Sequence, residues 1–80
     1  MTRADFVTWA KASGIHSDAY SFDGGHPSEA FVLDTQGFGW VVFYSERGLE
    51  TDRRWHVKEA DALADLQERL SSAHGIRADD

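Results

Sequence analysis

The chain holds 80 residues, which allows one domain over 1–80 with a single small core and leaves no room for a second. It contains no cysteine, so disulfides, thiolate metal sites and a cysteine nucleophile are excluded, and 41% apolar content describes a folded chain rather than a disordered one. With 14 Asp and Glu against 8 Lys and Arg the net charge is −6, which argues against a nucleic-acid backbone as the main partner.

The first predicted element is a helix from about Arg3 to Ser13. Thr2 suits its N-cap, Asp5 the reciprocal position of a capping box, and Phe6, Trp9, Ala10 and Ser13 recur at helical spacing. Gly14 and Ile15 form its stop signal. Alternation then predicts a strand over Ala19 to Asp23, with Tyr20 and Phe22 on one face. Asp23-Gly24-Gly25-His26-Pro27 reads as a turn, Glu29 to Asp34 as a second strand and Thr35-Gln36-Gly37 as a hairpin link. In the third strand, Phe38 to Glu46, Trp40, Val42 and Tyr44 point one way and Val41 and Phe43 the other. Apolar on both sides, it belongs in the middle of a sheet. A fourth strand is predicted over Arg53 to Val57. Glu59 to Ala73 closes the chain as a helix with Ala62, Leu63, Leu66, Leu70 and Ala73 buried, and Asp61, Asp65, Glu68 and Arg69 on the solvent side. Gly75 and Ile76 repeat the stop signal.

The expected fold is therefore α+β: a helix, a four-stranded antiparallel meander and a C-terminal helix, in two layers with both helices on one face. Trp9, Phe31 and Trp55 are expected inside. No apolar run approaches the roughly 20 residues that span a bilayer, and MTRADF does not begin a secretory signal, so a cytoplasmic protein is expected.

Catalytic signatures are missing. There is no phosphate-cradling glycine loop and no nucleophile elbow, and His16, His26, His56 and His74 lack metal-ligand spacing. Ser17 and Asp18 beside His16 suggest a hydrolytic triad only on paper, since nothing supplies an oxyanion hole. The expectation is a protein with no enzymatic activity, no metal and no cofactor. What stands out is charge and aromatic density. Between Ala12 and Glu46 there is no Lys or Arg, while Asp18, Asp23, Glu29, Asp34 and Glu46 are acidic; Arg47, Arg53, Arg54 and Lys58 follow closely. Such a pattern suits a protein partner of opposite charge, with Trp40 and Tyr44 as aromatic anchors, and equally suits a solvated surface. Glu46 and Arg47 leave the sheet where Gly48 opens a turn, presenting both charges at a strand end; an internal pair of Glu46 with Arg53 or Arg54 is the alternative.

Trp9, Ala19-Tyr20-Ser21, Glu29 to Leu33, the run Trp40-Val41-Val42-Phe43-Tyr44-Ser45-Glu46-Arg47-Gly48, and Trp55 followed by Glu59-Ala60-Asp61-Ala62 together resemble small bacterial immunity proteins of polymorphic toxin systems. The Tyr44 to Gly48 string is the specific part. Lys58 departs from that pattern, standing where those proteins favour a capping Ser or Thr. The resemblance implies an antitoxin that occludes the active site of a cognate toxin domain, with NAD glycohydrolases frequent among such toxins and nucleases also represented. The toxin-binding residues expected on this reading are Asp23, Glu29, Asp34, Trp40, Tyr44, Glu46, Arg47 and Arg53. The chain would act as a monomer or weak homodimer, without nucleic acid or membrane. The alternative is a self-associating or ligand-binding accessory domain without catalysis.

Overall fold

The computed structural model describes residues 1–22 and 29–75. Helix α1, Arg3–Ala12, starts as its sequence demands: the Thr2 hydroxyl accepts from the Asp5 amide at 3.1 Å, and the Asp5 carboxylate accepts from the Thr2 amide at 2.9 Å. It stops at Gly14, whose φ of +76° lets the Ile15 amide reach back to the Ala10 carbonyl at 2.9 Å. That reversal buries Ile15 beside Phe6 and Ala10. One 3₁₀ turn, Ser17–Ala19, is capped by His16, whose ring nitrogen accepts from the Asp18 amide at 3.2 Å.

The strands are β1, Tyr20–Ser21; β2, Ala30–Gln36; β3, Gly39–Glu46; and β4, Leu49–His56. They lie in the order β1-β2-β3-β4, and the long apolar β3 occupies the interior as expected. The sheet is not the antiparallel meander, however. β1 runs parallel to β2, with Tyr20 beside Phe31 and Ser21 beside Val32, while the β2–β3 and β3–β4 pairs are antiparallel. Two residues of strand carry too few ladder bonds to set their own direction. Tyr20 and Phe22 instead pack edge-on against Phe6, at centroid distances of 5.1 and 5.5 Å, and this aromatic cluster under α1 orients the segment. The turn expected at Asp23 to Pro27 lies outside the described residues.

Both long hairpins close on two residues. Gly37, at φ 60°, followed by Phe38 gives the type II′ pattern between β2 and β3; Arg47 and Gly48, at φ 53° and 79°, give type I′ between β3 and β4. Between Val42–Arg54 and Tyr44–Thr51 the register slips by one residue, so Asp52 and Arg53 face Phe43 in a bulge with Asp52 at φ 54°. β4 therefore begins well before the predicted Arg53, its polar first half hidden from a pattern search by that bulge.

Helix α2, Glu59–Ala73, spans its predicted range and starts without a side-chain cap at Lys58. Ala62, Leu63, Leu66 and Leu70 meet Phe6, Ala10, Leu33 and Val42 in one core with no exposure, so truncating Leu66 to Ala costs about 2–5 kcal/mol. Both helices thus lie on the face carrying Leu33 and Val42, and Arg3 ties them by a 3.0 Å bond to Glu59. Val32, Val41 and Phe43 form a second, smaller cluster on the opposite face. No described helix is long and apolar enough to cross a membrane.

Several expected burials are corrected. Ala73 is exposed, and Trp55, on the sheet face away from the helices, is 48% exposed. Its indole lies over Gly39, where an added Cβ would come within 2.5 Å of the ring, and its Nε1 donates to the Gln36 carbonyl at 3.1 Å. Trp9 and Phe31 are half-buried. Asp65 is on the covered side of α2, 7% exposed, rather than on its solvent side.

Candidate functional site

Three described non-glycine residues have positive φ: Glu29 at 56°, Arg47 at 53° and Asp52 at 54°. All three are charged, and all gather at one end of the sheet. Glu29 immediately precedes β2, Arg47 makes the β3–β4 turn, and Asp52 is the bulge in β4. Tyr44 sits among them, facing Phe31 on one side and Thr51 on the other, with the Tyr44 and Phe31 rings 4.9 Å apart and inclined by 56°. The Tyr44 phenol is held above its ordinary pKa, first by burial and then by the charges of Glu46 and Glu29.

Two grooves open on the helix side of this end. The larger, about 660 Å³, runs between the end of α2 and the β4 bulge, over Phe31; the small side chains of Ser72 and Ala73 leave the room. The smaller, about 430 Å³, shares Phe31, Asp52 and Ala73 with it and adds Glu29, Tyr44 and His74.

The larger groove ends on a charge network. The Asp65 carboxylate accepts from Arg69 Nε at 2.9 Å, bonds His56 Nε2 at 2.8 Å and lies 3.8 Å from Arg54. Burial pushes the Asp65 pKa up, but the bonds from His56 and Arg69 and the charges of Arg69 and Arg54 outweigh it and hold the carboxyl below its ordinary range. Arg69 Nη1 is buried with no hydrogen-bond partner. The network pins α2 to β4, and among the described residues no group of His, Asp and Glu could hold a metal.

The residues predicted for partner binding do not form one patch. Glu29 and Tyr44 line the smaller groove together. Glu46 and Arg47 are exposed at the adjoining hairpin turn. Trp40 is half-buried against the helix core, four residues along β3 from Tyr44. Asp34 and Arg53 face the other side of the sheet: the Asp34 carboxylate accepts from the Thr35 amide at 2.8 Å, and Arg53 lies over the Phe43 ring at 5.6 Å. Arg53 pairs with Glu50 instead of Glu46. Asp23 is outside the described residues. Asp52 and Asp65 went unpredicted. Asp65 and Arg69 stand four apart, a spacing that announces a helical acid–base pair, and Asp is among the residues that tolerate left-handed backbone; a bulge at Asp52 has no other local signal.

No family model matches the chain, and no curated protein or solved structure matches it. Fold and site therefore define it as an α+β domain with a mixed sheet and a strained, charged sheet end.

Proposed function

We propose that this chain is an inhibitory protein of the immunity type, which blocks a cognate toxin domain by seating the Glu29–Tyr44–Glu46–Arg47–Asp52 end of its sheet in the toxin's substrate cleft. The observation that carries the reading is the coincidence of left-handed backbone and charge. An L-residue in that conformation costs about 1–2 kcal/mol, and folds keep such strain chiefly where a particular surface is needed. A toxin whose cleft receives an anionic substrate, an NAD glycohydrolase among them, is lined with positive charge. Glu29, Glu46 and Asp52 complement such a cleft, and Arg47 supplies a fork for a carboxylate at its rim. The interface is then built by the end of the sheet and the β3–β4 hairpin, while the helices and core hold that end rigid.

Co-expression with the toxin domain encoded by the neighbouring reading frame tests this. Rescue of growth and a one-to-one complex are expected, with slower association and a shallower salt dependence for Glu46→Lys and Asp52→Lys, because the attraction that salt screens has been removed. Failure of the wild-type chain to rescue or to bind overturns the reading.

A second reading, self-association, has its own observation. Phe38, Trp55 and Val57 are 99%, 48% and 65% exposed at the opposite end of the sheet. Large apolar side chains exposed together at one end of a sheet suit an anchor for another surface. Sedimentation that shows dimers lost on Phe38→Ser would favour it, and a concentration-independent monomer would remove it.

A further inference from the structure

We propose that the smaller groove is a receptor for one cationic side chain, an arginine guanidinium or a lysine ammonium presented by the partner protein, which Glu29 and Asp52 neutralise against the faces of Phe31 and Tyr44. In assigning the cation to a toxin, the inference rests on the inhibitor reading; the cation chemistry of the groove does not.

Four observations converge on that ligand. The groove measures about 430 Å³, near the lower end of the roughly 300–1,000 Å³ typical of small-ligand sites, so it has ample room for a single long side chain. Its wall is a tilted aromatic pair with centroids 4.9 Å apart, and the negative faces of such rings attract cations. Its carboxylates come from two different elements, the entry to β2 and the β4 bulge, and neither Glu29 nor Asp52 has an ion pair among the described residues. The arginines beside it are already committed: Arg53 to Glu50, and Arg54 and Arg69 to Asp65. The Tyr44 pKa is raised first by burial and then by the charges of Glu46 and Glu29, which disfavour its phenolate. A cation entering this groove gains two carboxylates and two ring faces, whereas an anion meets like charge. A neutral amide of the same shape forfeits the electrostatic part.

The test uses Nα-acetyl-arginine amide as the probe, titrated into the ¹⁵N-labelled chain, with the lysine analogue and the neutral citrulline analogue run in parallel. Saturable shifts at the Phe31, Tyr44 and Asp52 amides are expected for the two cations, weakening as salt rises. Removing both charges in Glu29→Gln/Asp52→Asn is expected to weaken binding by about tenfold or more, while Tyr44→Phe, which keeps the ring, retains most of it. Circular dichroism confirms that the variants are folded. Equal binding of the citrulline analogue, undiminished binding by the double variant, or no saturable shift at these amides overturns the proposal. A chain that binds the toxin tightly but ignores the arginine probe sinks this inference and spares the inhibitor reading. A chain that binds the probe but not the toxin does the reverse.

Discussion

The β3–β4 turn offers the sharpest test of strain kept for function. Arg47 and Gly48 both adopt left-handed backbone, at φ 53° and 79°, the conformation a type I′ turn requires at its two central positions. Glycine takes it freely and asparagine takes it readily, but arginine carries a cost of about 1–2 kcal/mol. Replacing Arg47 with Asn removes about half of that without loosening the unfolded chain, so a gain of about 0.5–1 kcal/mol is expected. For a domain of this size that raises the melting temperature by about 2–8 °C. Arg47→Gly removes the whole strain but returns about 0.4–1 kcal/mol to the unfolded state, so its net gain of about 0.6–1 kcal/mol should match that of Asn, with both above Arg. Thermal unfolding followed by circular dichroism measures the order. The same Arg47→Asn substitution deletes the guanidinium fork and should weaken toxin inhibition, so stability and function move in opposite directions. A melting temperature for Arg47→Asn equal to or below that of the parent refutes the argument that this backbone is strained.

The companion residue supplies a control. A Cβ on Gly48 would meet nothing within 4 Å, so Gly48→Ala should lose about 1–2 kcal/mol through backbone conformation alone, read as a drop in urea midpoint at unchanged slope. Gly39→Ala fails for the other reason: its Cβ would lie 2.3 Å from the His56 carbonyl oxygen and 2.5 Å from the Trp55 ring, and a loss of about 2–3 kcal/mol with altered tryptophan fluorescence is expected. Asp65 governs the acid limb of the stability curve. Because its folded pKa lies below the ordinary 3.8, its contribution is present above that value and disappears as pH falls through the folded one. Asp65→Asn should therefore cost about 2–4 kcal/mol at neutral pH, by leaving Arg69 and His56 facing an uncharged amide, and should flatten the loss of stability expected of the parent below about pH 4. An acid limb that is unchanged in Asp65→Asn would assign that limb to other carboxylates.

Local chemistry alone determined much of this molecule. The Thr2–Asp5 capping box, the Gly14–Ile15 reversal, the span of α2 and the interior place of β3 follow from residues close to one another in the chain, because hydrogen bonding and burial periodicity there are short-range. The same holds for the exposure of Glu46 and Arg47, which a two-residue turn forces outward. Tertiary structure decided the rest. The direction of β1 is set by the packing of Tyr20 and Phe22 on Phe6, a contact between segments that share no local pattern. The bulge at Asp52 turned a polar stretch into strand and sent the Arg53 guanidinium over the Phe43 ring, although Arg53 still lines the larger groove beside Asp52. Asp65 reads as a solvent residue on a helical wheel, and only its bonds with His56 and Arg69 make its burial tolerable. A side chain's periodicity says which way it points, but what it meets there is fixed by segments far along the chain.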